Sequence, residues 1–189
     1  MDTFFAPERF EADGFVLRGY RPGDGEALAD AVTSSYEHLA PWMSWASKDQ
    51  SVEESEGLSR SFRADYLRNT DFVLGIWTPD ESRLLGGTGY HLRGKPMDHK
   101  VAEIGMWIRA DAAGAGLGTG VLRTLLEWGF DEWPWHRLSW LCDSDNHASR
   151  RTAEKAGMRH EGTLRGEKAE VGDGHRDTLV FGLVRNDPR

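Results

Sequence analysis

The segment from residue 110 to residue 130, ADAAGAGLGTGVLRTLLEWGF, sets glycines at alternate positions, Gly114, Gly116, Gly118 and Gly120, directly before an apolar helical pattern. Glycine lets an anion approach the backbone closely and accepts positive φ. The first turn of a helix offers unpaired N–H donors and a partial positive charge. Together these features read as a cradle for a phosphate or pyrophosphate. Two more specific phosphate signatures do not fit. The dinucleotide fingerprint needs glycine at its sixth position, where this chain has Thr119 or Val121 depending on the register. A Walker loop needs Lys and then Ser or Thr after its last glycine, and here Val121 and Leu122 follow Gly120. The alternative left open is a ligand-free loop or tight helix–sheet packing.

Other residue types point away from several chemistries. His91, His99, His147, His160 and His175 are scattered without metal-ligand spacing. The single cysteine, Cys142, excludes an internal disulfide and a paired-cysteine metal site, so no metal is expected. It lies in an apolar run and reads as buried and inert. A lone cysteine also suits a reducing compartment, here the cytoplasm. With 31 acidic against 23 basic side chains, the net charge of −8 disfavours bare nucleic-acid binding. No apolar run approaches the length of a membrane span. The opening MDTFFAPERFEADG lacks a basic stretch followed by an apolar one, so no secretory leader is expected.

The elements that must position the glycine segment follow from periodicity. Phe15–Tyr20 is predicted as a first strand, and Asp24 as the cap of a helix carrying Leu28, Ala29, Ala31, Val32 and Tyr36. The aromatic stretch HLAPWMSWAS is broken by Pro41 and predicts a short helix or loop. Ser51 and Glu54 have capping-box spacing and open a helix to about Leu67. Strands at 72–77, 84–92 and 102–108 are separated by turns and predict an antiparallel meander. After the glycine segment, a helix to about Glu132 buries Leu122, Leu125, Leu126, Gly129 and Phe130. The strand Leu138–Cys142 comes next, and the helix before it makes its pairing with 102–108 parallel. A short helix from Ala148 to Ala156 ends at Gly157. Strands His160–Arg165 and Thr178–Val184 flank a turn at Gly172–Gly174. The predicted fold class is α/β (α+β): one domain over residues 1–189, with a core at about 14–185 after an N-terminal extension. Its sheet is mixed and mostly antiparallel, of about seven strands, with helices on both faces.

AEIGMWI, GAGLGTG and DSDNHASRRTAEKAGMRHEG, in that order, resemble the GNAT superfamily of N-acetyltransferases. The family's glycine motif normally opens with Arg or Gln, where this chain has Ala113; Gly116 and Gly118 match its end. HLAPWMSW, NHASRR, EKAGM and EGTLR further resemble the RimJ/RimL branch, the ribosomal-protein N-terminal acetyltransferases, over about 15–184. That branch also contains enzymes acting on small amines. The resemblance implies a splayed central parallel strand pair and transfer of an acetyl group from acetyl-CoA, as co-substrate, to an amine. It implies that the backbone of Met106, Trp107 and Ile108 pairs with the pantetheine arm. Gly114, Ala115, Gly116, Gly118 and Thr119 would hold the pyrophosphate, and Asn146 and Ser149 would face the cofactor near its sulfur.

Ser149 is then the candidate for stabilising or protonating the leaving thiolate. The local alternative is that Asn146 only caps a helix and Ser149 sits in its first turn. Glu170, in AEVGDG, is the candidate general base, with a solvated edge-strand charge as its alternative. Glu103 is the runner-up and could equally face solvent opposite Lys or Arg. Tyr36, Trp42 and Trp45 wall the acceptor site or pack as core beside Pro41. His38 and His147 are lesser candidates. Arg150, Arg151 and Lys155 approach the coenzyme phosphates or solvate their helix. Exposed tryptophans leave a homodimer interface open. The acceptor would be a protein or peptide α-amine, with a small-molecule amine as the alternative acceptor. A non-catalytic acyl-CoA sensor would be a different class on the same fold.

Overall fold

A computed structural model describes residues 4–169 and 174–188. Its strands run β1 (Arg9–Ala12), β2 (Phe15–Gly19), β3 (Phe72–Trp77), β4 (Leu84–His91), β5 (Val101–Ile108), β6 (Arg137–Asp143), β7 (Arg159–Ala169) and β8 (His175–Val184). The helices are α1 (Gly25–Thr33), α2 (Tyr36–Leu39), α3 (Val52–Leu67), α4 (Leu117–Asp131) and α5 (His147–Lys155). The strands hydrogen-bond in the order β1-β2-β3-β4-β5-β6-β8-β7. The chain divides into two compact units, residues 1–92 with 106–115, and residues 93–105 with 116–189.

In the first unit β2 is buried at every position and pairs antiparallel with both β1 and β3. Val16, Tyr20, Leu28, Ala31, Val32, Trp77 and Leu84 form an apolar cluster, against which Trp107 of β5 packs. Arg18, 4% exposed, lies inside this unit. Its guanidinium stacks 3.9 Å from the Trp77 ring and donates to both carboxylate oxygens of Asp24 and to Glu81. Helix α3 opens on the full capping box of Ser51 and Glu54.

The start of α1 differs from expectation. Asp24 occupies the cap position, yet its carboxylate makes no cap bond, because Arg18 and the Arg21 N–H hold it. The α1 entry is covered instead by Glu56 of α3, which accepts from the N–H groups of Gly23 and Gly25 at 2.9 and 3.3 Å. Tyr36 opens α2 rather than closing α1.

In the second unit β5 and β6 run parallel, with Val101, Ala102 and Glu103 opposite Arg137, Leu138 and Ser139. β6 pairs along its length with β8, which pairs antiparallel with β7. Helix α4 buries Leu122, Leu125, Leu126, Gly129 and Phe130, the helical stripe read from spacing, and with them Val121 and Trp128. Trp128 meets Trp133 edge-on at 5.4 Å, and Trp133 stacks on Trp135. Arg185 donates to the carbonyls of Phe130, Trp133 and Trp135, closing the C-terminal end of α4.

Among the described residues the sheet has eight strands where about seven were expected. The addition is β1, whose alternately exposed and half-buried residues were assigned to the N-terminal extension. Four residues on a sheet edge carry too short a pattern to separate from coil. The final strands are also longer than expected, β7 reaching Ala169 and β8 starting at His175. Part of the turn anticipated at 172–174 lies outside the described residues.

Candidate active site

The glycine segment is held at its upstream side by a buried arginine that pairs with two exposed carboxylates. Arg109, 7% exposed, bridges Asp30 of α1 and Asp111. The Ala110 N–H donates to the Ser35 hydroxyl at 3.0 Å, and the Arg109 N–H to the Leu85 carbonyl at 2.8 Å. A single turn at 110–112 follows, and Ala113 is extended. Gly114 and Gly116 then take φ of +82° and +92°, a backbone region that favours glycine, with open space where a Cβ would stand. Within this unit Gly86 and Gly87 of β4 also matter: a Cβ on Gly86 would strike the Trp107 carbonyl and one on Gly87 the Trp107 indole. These two glycines let the end of β5 lie close.

Helix α4 begins at Leu117 with Gly116 as its cap, and no side chain accepts a bond there. The other long helices differ. Ser51 caps α3, the Asn146 Oδ1 caps α5, and Glu56 covers the entry to α1. The α4 first turn also lacks an acidic residue. Its N–H groups and partial positive charge are therefore left to water or to an anion. Gly114, Ala115, Gly116, Gly118 and Thr119, the residues expected to hold the pyrophosphate, lie along the chain that leads into this first turn.

At the start of α5 the Ser149 N–H donates to Asn146 Oδ1 at 3.0 Å. The two residues sit together as the local capping alternative requires, and this leaves the Ser149 side chain free for other bonds. Its Oγ accepts a hydrogen bond from the Trp140 indole N–H at 3.1 Å. Trp140 and Cys142 alternate with Leu141 along β6 and so share a face; both are buried, while Leu141 is exposed. Burial pushes the Cys142 thiol up, and a hydrogen bond with Ser149 works against that shift.

The remaining candidates divide. Glu103 is paired with Arg93 through Oε1, the solvent-side arrangement weighed for it. Glu170 lies outside the described residues. Trp45 is 49% exposed and meets Trp107 edge-on at 5.8 Å, so the structure joins one acceptor-site candidate to one strand candidate. Tyr36 and Trp42 are half-buried, and His38 and His147 are exposed. Met106, Trp107 and Ile108 are half-buried at the end of β5. Arg150 pairs with Glu154 on its own helix. Among the described residues no three His, Cys, Asp or Glu side chains group as metal ligands, and no helix is long and apolar enough to cross a membrane. Trp140 and Arg109 were not singled out from sequence. The alternation of Trp140 with Cys142 on a strand was the available signal for the first.

Residues 15–159 match the family model described as "Acetyltransferase (GNAT) domain". The chain is 28% identical over 182 residues to YoaA of Bacillus subtilis (strain 168), described as an uncharacterized N-acetyltransferase, covering 93% of this chain and 96% of that one. Among solved structures it is similar to RimL, a ribosomal L7/L12 α-N-protein acetyltransferase in complex with coenzyme A. That match has a TM-score of 0.83 and 20% identity, and covers 94% and 98% of the two chains. It is also similar to the ribosomal-protein-S5-alanine acetyltransferase from Vibrio fischeri, with a TM-score of 0.81 and 17% identity, covering 96% and 98%.

Proposed function

Because the chain belongs to the acetyltransferase (GNAT) domain family, we propose that it moves the acetyl group of acetyl-CoA to the α-amine of a protein or peptide N-terminus. The observation that carries the reading is the uncapped start of α4, preceded by two left-handed glycines with open space at their α-carbons. Peptide N–H groups between 114 and 119 grip the diphosphate. The end of β5, Met106 to Ile108, supplies backbone to the pantetheine arm.

Only a neutral amine attacks a thioester. An α-amine of pKa about 7.7–8.0 is roughly 10–17% neutral at pH 7, whereas a lysine near 10.4 is about 0.04% neutral. An α-amine therefore needs modest help from one carboxylate acting through water, a role assigned to Glu170. The new C–N bond forms as the C–S bond breaks. The amine proton leaves through Glu170 to solvent. The Ser149 hydroxyl gives its proton to the departing sulfur and regains one from water. Positioning supplies much of the remaining rate.

The names of the RimL and S5 acetyltransferases, together with the RimJ/RimL-like motifs, support a ribosomal-protein acceptor. A small-molecule amine is the second reading. It is favoured by the Trp45–Trp107 pair, whose ring faces suit a small cation. The test follows free thiol with acetyl-CoA against a panel of peptide N-termini and small amines. Turnover with peptides over small amines supports the first reading and the reverse order the second. Coenzyme binding with no turnover for any amine would make the chain an acyl-CoA sensor.

A further inference from the structure

Among the described residues, two buried polar groups that this mechanism leaves unused meet the Ser149 side chain, the Cys142 thiol and the Trp140 indole N–H, and the second is a donor only. Trp140 is 4% exposed and sits in β6, and its Nε1 lies 3.1 Å from the Ser149 Oγ. An indole N–H can only donate, so the Ser149 oxygen must be the acceptor in this bond. The hydroxyl proton is then excluded from the indole side. It is also not committed to the helix backbone. Thr152, three residues later, returns its hydroxyl to the Ala148 carbonyl at 2.9 Å, the usual resting place for such a group in a helix. Ser149 instead has its oxygen held by the indole, while its hydroxyl meets the Cys142 thiol beside it, a contact between two side chains that the proton can leave for an incoming sulfur.

We propose that Trp140 is a positioning residue for acyl transfer: its indole N–H holds the Ser149 oxygen as acceptor so that the hydroxyl proton is presented to the leaving coenzyme sulfur. A donor on the oxygen also polarises the O–H bond and makes the proton easier to give. The inference rests on Ser149 as the proton donor.

The test compares wild type, Trp140→Phe, Ser149→Ala and the double variant, measuring kcat and the KM for acetyl-CoA. Trp140→Phe keeps an aromatic ring and removes the donor together with some ring volume, and the double variant separates the two losses. It is expected to lower kcat by about 3- to 10-fold, the size of one lost neutral hydrogen bond, with KM unchanged. Ser149→Ala lowers kcat by about 100-fold, the lower range for a general acid. The double variant falls no further than Ser149→Ala alone, because the indole acts through the hydroxyl. A merely structural tryptophan would lower kcat by the same factor in both backgrounds, and that result overturns the proposal. So does a Trp140→Phe enzyme with full kcat beside an impaired Ser149→Ala. Full turnover by Ser149→Ala removes the proton-donor assignment and the inference with it, while leaving acetyl transfer by the wild type intact. Should Trp140→Phe fail to fold, the indole N–H resonances decide: one of them must move in Ser149→Ala, and an unchanged indole spectrum overturns the contact.

Discussion

Glu56 illustrates how one carboxylate works at a distance in sequence. It accepts from the N–H groups of Gly23 and Gly25 and pairs with Arg60 on its own helix. The Gly23 N–H above all holds its carboxyl below the ordinary value of 4.5. A depressed carboxylate stabilises the fold fully above its unfolded pKa, and that contribution is lost as pH falls through the lower folded value. Thermal melts of Glu56→Gln should therefore lie below wild type near neutrality and converge with it as the pH falls below 4.5 and through the lower folded value. Of the two carboxylates considered as base, Glu103 is engaged by Arg93. Glu170→Gln should cost more in kcat/KM than Glu103→Gln, and only the former should flatten the rise of rate with pH. What could be read at this scale was local: Asn146 and Ser149 are three apart, and a helix start joins such residues whatever the rest of the fold does. The role of Glu56 at α1 was invisible because Gly23 and Gly25 lie more than thirty residues away. Asp24 was misread because the buried Arg18 competes for its carboxylate.

The elements themselves were legible where a long period repeats. The α4 stripe and the α3 capping box were both found from spacing, while the edge strand β1 was not. Helix α4 carries the clearest element-scale consequences. Gly116 sits at φ +92°, so Gly116→Ala places a side chain in a strained backbone region at a cost of about 1–3 kcal/mol. If the turn holds the coenzyme, the cost appears as a raised KM for acetyl-CoA, with the KM for the amine unchanged. At the other end, Arg185 satisfies carbonyls of Phe130, Trp133 and Trp135. Arg185→Met should lower stability in chemical denaturation by about 1–3 kcal/mol, the cost of stranding such acceptors, and leave the KM for acetyl-CoA as it was. The pair of variants separates the two ends of one helix, coenzyme binding at the first and stability at the second.

At the scale of the whole molecule, the succession of elements from β2 onward was read from the chain and the parallel β5–β6 pair was found where a helix intervenes. Contacts made by non-local side chains were not, since no local pattern encodes which tryptophan reaches which serine. A coenzyme that binds only the folded chain must raise its melting temperature. At one hundred times its Kd, coenzyme A adds about 2.7 kcal/mol. The account turns on where that coenzyme sits. The most direct measurement is a crystal structure with coenzyme A. It should show diphosphate oxygens within hydrogen-bond reach of peptide nitrogens from 114 to 119 and the sulfur end toward Ser149. A complex in which that turn touches no phosphate, with the coenzyme held by other segments, would contradict it.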